Sequence, residues 1–476
     1  MNATTILNGT IVQDGQQIAA DLVIEGGVIS EIRQPGERSV KGTLIDASGL
    51  LVLPGAIDIH FHCRAPAYPQ RGDFATETRA AAAGGVTTVF EMPISKPGAS
   101  TVEVFERRRM LGQRDAYVNF GLYAAPALLD PAQIERMVEA GAIGFKTFLT
   151  AAPEGRADEF EGLCATTDEA LYQVLRLLKP YDLPAVFHAE NNRLLDWFDQ
   201  DAGNGPLHTL EAHACARPAV IESAAIAMLM ALVMETGRAV HVAHLSSSEG
   251  VAFVGDAQRR GLPVTGEVCP QYLLFTAEEI NDAGPYGKVN PPIRSRRHRD
   301  ALWAGLEEGI ISVIASDHSP FAAAEKEETW SDLRLSPPGI ANIDIFYPLV
   351  LDMALRGRFT LGEAVQLVSR RPAIMYGLFP QKGVIQVGAD GDLVLFDPQD
   401  ATIVDHRTWH SKAADCDRLF SGMELRGRLR QTIVGGEVVY RDGKVVGKRG
   451  GGQFVRPITD AVGEASFSDD GSIVPG

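Results

Sequence analysis

Six residues that can bind divalent metals stand at or near the ends of apolar segments, a pattern that suits a metal site. His60 and His62 lie two residues apart in IDIHFH. Residues two apart on a strand face the same side, roughly 6.6 Å apart, so these imidazoles could converge on one ion. The other candidates are Lys146 in AIGFKTFL, His188 in PAVFHA, His244 in VHVAHL and Asp317 in ISVIASD.

Taken singly, each of these residues has an ordinary structural explanation. An isolated HxH pair is usually two unrelated histidines, and Asp317 could cap a loop. His188 or His244 could be a hydrogen-bonded core histidine. The other histidines fall mainly in stretches of helical or loop composition. Because chance would not place four histidines and an aspartate at matching segment ends, the whole set predicts a metal site.

Lys146 is the most informative of these residues. It lies among Phe145, Phe148 and Leu149, where a buried ammonium loses solvation and the lysine pKa falls. A neighbouring carboxylate could relieve that cost through a buried salt bridge. Alternatively, the neutral amine could react with carbon dioxide to form a carbamate, whose two oxygens could each bind one of two metal ions. The residue pattern alone leaves both explanations open.

Eight strand-like apolar segments, each followed by a stretch of helical composition, must position these side chains. Eight is the number of strands in a (β/α)8 barrel, whose active site lies at the carboxyl ends of the strands. We therefore predict an α/β fold with a (β/α)8 TIM barrel over residues 54–382. The segments are residues 57–62, 86–92, 117–124, 142–149, 184–189, 240–245, 263–269 and 311–317.

Short β segments with tight-turn signals occupy both ends of the chain. Gly26-Gly27 and Gly435-Gly436 each separate two apolar runs, as in a β-hairpin. We predict a small β-sandwich domain built from both termini, residues 1–53 and 383–450. Residues 451–476 are polar and glycine-rich, and we expect a C-terminal tail.

Composition excludes several classes of protein. The 476 residues are 45% hydrophobic and 22% charged, which is typical of a globular chain and not of a disordered or fibrous one. The net charge of −17 opposes binding to nucleic acid or to an anionic membrane. The five cysteines form no CxxC pair, and the longest apolar run is too short to span a bilayer. We expect a cytoplasmic protein with a small-molecule partner, no nucleic acid and no membrane.

The order of these residues along the chain resembles the binuclear cyclic amidohydrolases, which include dihydroorotase, allantoinase, hydantoinase and dihydropyrimidinase. The segments PGAIDIHFH, GFKTF, HAEN, HVAHLSS, NPPIR and SDHSP carry the resemblance over nearly the whole chain. It implies a hydrolase that opens a C–N bond in a five- or six-membered cyclic amide. Relatives form dimers or tetramers, so it also implies a homo-oligomer.

The resemblance further implies two divalent metal ions, with zinc as the default for these ligands. A metal-bridging hydroxide would attack the ring carbonyl, and Asp317 would accept its proton and deliver it to the leaving nitrogen. By similarity, one metal would be held by His60, His62, Lys146 and Asp317, and the other by carboxylated Lys146, His188 and His244.

The signals for the substrate ring conflict. Arg64 in HCRAP resembles the dihydroorotase arginine that binds the substrate carboxylate, although it could instead form a structural ion pair. Asn290 in KVNPPIR could bond the ring amide in the same way. However, Ile94 replaces the asparagine that dihydroorotases carry after Met-Pro, and Phe321 follows SDHSP where a histidine is common. We place dihydroorotase-like activity slightly ahead of allantoinase and hydantoinase or dihydropyrimidinase activity.

Two further readings compete with a binuclear hydrolase. A non-catalytic scaffold of the same barrel typically loses metal ligands, and all the candidate ligands are present here. A mononuclear deaminase of the barrel superfamily is disfavoured by Lys146 in the fourth strand.

Overall fold

The computed structural model describes residues 3–13, 15–36, 40–201, 203, 205–458, 466–467 and 473–474. The chain begins with five strands of one sheet, in which the second and third are antiparallel and joined by a tight turn at Gly26-Gly27, whereas the fourth and fifth pair parallel with the first. Both glycines have positive φ, 63° and 89°, which a two-residue hairpin turn requires. These first strands are β1 (Ala3–Gln13), β2 (Gln16–Glu25), β3 (Val28–Arg33), β4 (Thr43–Asp46) and β5 (Leu51–Pro54).

In the described part of the chain, eight parallel strands follow, each beside its neighbour in chain order. Nearly every residue in them is buried, as expected when both faces of a parallel sheet are covered. All eight predicted segments are present, and the predicted fold class is confirmed. They are β6 (Ala56–Phe61), β7 (Val86–Glu91), β8 (Asn119–Ala124), β9 (Gly144–Phe148), β10 (Ala185–His188), β11 (Val240–Val242), β12 (Val264–Val268) and β13 (Val313–Ile314).

Helices connect these strands, and several of them begin with a side chain that caps the first turn. Asp73, Thr101, Asp130 and Thr167 each accept a hydrogen bond from a backbone N–H of the helix that follows. The described helices are α1 (Phe74–Ala83), α2 (Val102–Asp115), α3 (Pro131–Glu139), α4 (Asp168–Leu178), α5 (Asn192–Asp201), α6 (Leu210–Ala216), α7 (Ala219–Thr236), α8 (Ser248–Arg259), α9 (Pro270–Leu274), α10 (Arg296–Glu307), α11 (Ala323–Glu327), α12 (Phe346–Leu355), α13 (Leu361–Val365) and α14 (Arg371–Met375).

The barrel closes between its last and first strands through few backbone contacts. Phe61 and His318 form a parallel bridge, and the backbone N–H of His62 donates to the carbonyl of His318 at 3.0 Å. Asp58 completes this seam, because its carboxylate accepts from the backbone N–H of Ser316 at 3.0 Å and from the Ser316 hydroxyl. His60, His62 and Asp317, which are predicted metal ligands, lie beside this seam.

The interior of the barrel is filled from below. A buried apolar cluster includes Ile59, Phe90, Tyr123, Val186 and Val313 from different strands. A barrel packed in this way has no central pore, so a ligand can approach only from the carboxyl ends of the strands.

After the barrel, the chain returns to the sheet that contains β1 to β5. In the described residues, the strands from both termini form one nine-stranded sheet around a separate apolar core. Beyond it, Phe454 reaches back to the barrel and packs against Phe105 and Phe120. The returning strands are β14 (Leu393–Ile403), β15 (Glu424–Val434), β16 (Glu437–Arg441) and β17 (Lys444–Val445), and a short antiparallel pair follows, β18 (Ser466–Phe467) and β19 (Ile473–Val474).

Helix α7 is apolar on all sides. Among the described helices it alone is long and apolar enough to span a membrane, with a mean hydropathy of 1.7. Half of it is buried inside the protein, where it packs against α4 and α8. Its exposed face carries Val220, Met228 and Met234.

Candidate metal centre

The two histidines of β6 meet the aspartate that follows β13. Nε2 of His60 lies 3.4 Å from Oδ1 of Asp317, and Nε2 of His62 lies 3.7 Å from the same oxygen. One potential ligand atom from each of the three residues lies within 4.8 Å of the other two. All three residues are buried. This cluster is compatible with binding a divalent metal.

His188 is the last residue of β10, and His244 lies just beyond β11. These two histidines form a second pair. Nδ1 of His188 lies 3.0 Å from Nε2 of His244. Two nitrogen ligands of a tetrahedral zinc ion are separated by about 3.3 Å, so this pair has nearly the spacing that one ion needs. The rings of His60 and His244 are 5.3 Å apart between centroids, which brings the two groups of ligands side by side.

Lys146, on β9, is completely buried, and its charge would lower the pKa of all four histidines of these groups. Its Nζ has no hydrogen-bond partner among the described residues, and none of them forms an ion pair with it. The aromatic ring of Phe148 lies 5.2 Å from the amine. Burial lowers the pKa of Lys146, although the charges of Glu267 and Asp317 oppose that shift. The described structure therefore offers no salt bridge to stabilise a charged Lys146.

The electrostatics of the centre favour neutral imidazoles. Burial lowers the pKa of His60 to about 4 and holds the pKa values of His62 and His244 well below the usual range. The pKa of His188 is lowered for the same reason. Neutral imidazole is the form that binds metal. Burial also raises the pKa of Asp317.

The backbone is strained where the strands end. His244 and Asp317 have φ values of 35° and 48°, in the left-handed region that non-glycine residues rarely adopt. Such strain persists only where the surrounding structure fixes it, and it concentrates at functional sites. Both side chains lie close to other candidate ligands, Asp317 at 3.4 Å from His60 and His244 at 3.0 Å from His188.

Sequence reasoning missed two buried carboxylates beside the histidines. Glu267 on β12 contacts Nδ1 of His60, and Glu190 accepts from Nε2 of His188 at 2.7 Å. A signal for each was present, since Glu267 is an acid inside the apolar segment PVTGEVC and Glu190 lies two residues after His188 in HAEN. An acid in an otherwise apolar strand is costly to bury without a specific partner.

A cavity of about 1070 Å³, here called the barrel-mouth cavity, opens above the candidate ligands. Its apolar wall includes Ile94, Phe148, Phe160 and Phe321. Basic residues outnumber acidic ones along its described lining, although the whole chain carries a net charge of −17. The basic residues are Arg64, Arg71, Arg156, Arg217, Lys288 and Arg334, and the acidic ones are Glu154, Asp196, Asp199 and Asp317.

Arg64 differs from the neighbouring Arg71 and Arg156 in lacking an acidic partner. Nε of Arg71 lies 2.9 Å from each carboxylate oxygen of Glu325, and Nε of Arg156 donates to Glu159 at 2.8 Å. Arg64 instead donates to the hydroxyl of Ser319 and lies 4.8 Å over the ring of Phe321, and its Nε has no partner among the described residues. Burial lowers its pKa to about 9. The alternative of a structural ion pair therefore has no support in the described residues.

Asn290 also lines the barrel-mouth cavity and is partly exposed there. Its Oδ1 lies 3.1 Å from Nε2 of His213, which also contacts the carbonyl of Val289 at 3.2 Å. With its oxygen occupied, the amide nitrogen of Asn290 is the group available to a ligand.

The fold and the site together define an α/β-barrel protein with a candidate metal centre. Histidines, a lysine and an aspartate form this centre at the carboxyl ends of the parallel strands. The model of the Amidohydrolase family matches residues 51–439, and the chain belongs to that family.

Known proteins resemble the chain over almost its full length. An L-hydantoinase from Paenarthrobacter aurescens is 33% identical over 442 residues, 92% of this chain and 94% of that protein. An allantoinase from Rubrobacter xylanophilus is 35% identical and covers 95% of this chain and 97% of that one. The solved structure of L-hydantoinase (dihydropyrimidinase) from Arthrobacter aurescens has a TM-score of 0.89 at 31% identity and covers 96% of this chain and 100% of that one.

Proposed function

We propose that this protein hydrolyses a C–N bond in a five- or six-membered cyclic amide, using two divalent metal ions. The relatives whose names specify a substrate support this class, since they are hydantoinases, an allantoinase and a dihydropyrimidinase. The observation that carries the proposal is the buried, unpartnered Lys146 amine among four histidines and Asp317.

We propose that Lys146 carries a carbamate. Its neutral amine would attack carbon dioxide, forming an N–C bond and releasing one proton, and the product is an anion where a cation was buried. Burial favours this reaction, because it lowers the pKa of the amine and so populates the neutral form. One zinc ion would be held by His60, His62, Asp317 and the carbamate, and the second by His188, His244 and the carbamate.

Bound divalent ions supply an activated water at neutral pH and polarise the ring carbonyl. The water oxygen adds to the carbonyl carbon, the C–N bond breaks, and the product is an open-chain carboxylate. Asp317 accepts the proton of the water and delivers it to the leaving nitrogen. The closed base of the barrel excludes bulk water from below.

We infer that the ring carries an anionic substituent that Arg64 binds. A buried guanidinium without a carboxylate partner stabilises a ligand carboxylate through charge-assisted hydrogen bonds. Dihydroorotate has such a group. A second candidate substrate is a hydantoin with an apolar substituent, which the apolar wall of the same cavity, with Ile94 and Phe160, favours. Asn290 would bind the ring amide in either case.

The test is metal analysis of the purified chain together with a panel of dihydroorotate, allantoin, dihydrouracil and substituted hydantoins. We expect two metal equivalents per chain and ring opening of at least one member of the panel. A chain that binds no metal after loading with zinc and bicarbonate, or that opens none of these rings, contradicts the proposal.

We also propose that the protein is a cytoplasmic homo-oligomer. The exposed apolar residues Val220, Met228 and Met234 on α7 support a surface that a second copy covers. Light scattering coupled to gel filtration measures the state, and we expect a dimer or tetramer. A monomer at micromolar concentration contradicts self-association.

A further inference from the structure

Glu267 joins residues from both groups of candidate ligands. Its Oε1 contacts Nδ1 of His60 and accepts from the backbone N–H of His244 at 3.1 Å. Its Oε2 lies 3.1 Å from Nε2 of His241. Glu267 is completely buried. Because a backbone N–H can only donate, Oε1 acts as an acceptor toward its partners.

Glu190 has the corresponding position beside the second group. Nε and Nη2 of Arg217 donate to its two carboxylate oxygens, each at 2.6 Å. The same Oε2 that accepts from Arg217 lies 2.7 Å from Nε2 of His188. Glu190 is also completely buried. Arginine cannot accept a hydrogen bond, so both oxygens of Glu190 are acceptors.

These contacts decide which nitrogen of each ring carries the hydrogen. A neutral imidazole has one N–H and one lone pair, and the nitrogen that is hydrogen-bonded to a carboxylate must hold the N–H. His60 therefore keeps its hydrogen on Nδ1, which is hydrogen-bonded to Glu267, and its Nε2, at the longer distance of 3.4 Å from Asp317, keeps the lone pair. His188 keeps its hydrogen on Nε2, and its free Nδ1 faces His244 at 3.0 Å. The two histidines thus present different nitrogens to the centre.

We propose that Glu267 and Glu190 are positioning residues that fix the tautomers of His60 and His188, and that each thereby controls a different one of the two metal sites. This inference rests on the proposed function, since it concerns the same metal centre. Partners that orient ligating histidines typically change metal affinity 10- to 100-fold when they are removed.

The tautomers can be measured directly in the wild-type chain. Imidazole ¹⁵N resonances of the metal-free, histidine-labelled full chain should show the hydrogen on Nδ1 of His60 and on Nε2 of His188. H60Q and H188Q variants assign the two signals. The opposite tautomer at either residue overturns the inference, and no carboxylate variant needs to fold for this result.

Zinc binding by equilibrium dialysis in bicarbonate tests the division between the two sites. E267M should weaken one of two zinc equivalents about 10- to 100-fold and the other much less, because Glu267 contacts the ring of His60 but only the backbone N–H of His244. The conservative E267Q keeps an oxygen acceptor for His60, so it should restore most of the lost affinity. E190M leaves Arg217 buried and unpaired, and the matched variant is therefore E190M/R217M, which removes both partners.

An H188A background assigns each effect to its site. There, E267M should weaken the single remaining zinc, whereas E190M/R217M should change nothing further. If wild type binds two equivalents and both carboxylate variants weaken them equally, or neither does, the inference is wrong while the proposed function stands. If wild type binds no zinc, the proposed function itself fails.

Discussion

The barrel-mouth cavity and a second cavity in the β domain have nearly the same volume, about 1070 and 1090 Å³, but different linings. The second, here called the β-domain groove, is formed largely by the turns at Gly26-Gly27 and Gly435-Gly436, with Arg441 and Lys448 at its edge. No histidine lies in its described lining. Volume therefore does not identify the candidate site. The strand ends do, because a parallel barrel brings distant polar residues to one edge.

Replacing Lys146 with Ala should sharpen this contrast most strongly. The variant removes the bridging anion, so we expect turnover to fall by about 10³-fold or more and at least one metal equivalent to be lost. Activity assays and elemental analysis measure both. The matched control is Lys448→Ala in the β-domain groove, which should change neither. Two-metal activity without Lys146 would exclude the carbamate.

Replacing Arg64 with Ala tests the basic character of the barrel-mouth cavity. Loss of charge-assisted hydrogen bonds worth about 1.5–3 kcal/mol should lower kcat/KM for carboxylate-bearing rings by about 10- to 100-fold. Neutral rings should be affected much less, and Arg441→Ala in the β-domain groove should affect neither class. Equal losses on charged and neutral rings would reject the proposed role of Arg64.

Lowering the pH should destabilise the protein through buried histidines that line the barrel-mouth cavity, a residue type that the described lining of the β-domain groove lacks. Burial lowers the pKa of His60 to about 4, and burial beside Lys288 and Arg217 lowers that of His213 to about 3. The unfolded chain protonates these residues near pH 6.5 and the folded chain does not, so their contribution to stability is present above pH 6.5 and is lost as pH falls.

Between pH 7 and pH 5, each of these two residues should lower the free energy of unfolding of the metal-free chain by roughly 2 kcal/mol. Urea titrations at the two pH values measure the loss. His213→Gln keeps a donor for the Val289 carbonyl but does not titrate, so it should reduce the pH dependence. An unchanged pH dependence in that variant would show that His213 is not the titrating group.

The smallest effect is expected in the β-domain groove. Gly436 has a φ of 76°, and a Cβ there would lie 2.6 Å from Cγ2 of Ile24. Gly436→Ala should destabilise the protein by about 1–2 kcal/mol, because it strains the turn and crowds Ile24. Thermal unfolding measures the loss, and zinc content should stay at the wild-type value. A loss of metal in this variant would show that the two regions are coupled.

Much of the barrel was predictable from the sequence because its strands are continuous apolar runs that end in polar residues. All eight strands and their order follow from that pattern. The convergence of His60, His62 and Asp317 followed as well, since a closed barrel places its first and last strands side by side.

The partners of the histidines were not predictable in the same way. Glu267 reaches His60 across 207 positions of sequence, and the contact depends on the rotation of two strands around the barrel. The lack of an acidic partner for Arg64 was also not predictable from the sequence. It depends on the side chains of Glu159 and Glu325, which are hydrogen-bonded to Arg156 and Arg71 instead. Spacing along one strand is fixed by local geometry, whereas facing residues on different strands depend on the packing of the whole barrel.

The seam between β13 and β6 links the order of the barrel to its ligands. His60 and His62 lie on one side of this seam and Asp317 lies on the other, and the strands themselves exchange few backbone bonds there. A metal ion bound by all three residues would therefore connect the first and last strands and stabilise the closed barrel. Amide hydrogens near Val313 should therefore exchange with deuterium more slowly once zinc is bound, since ligand binding to the closed form alone makes opening rarer.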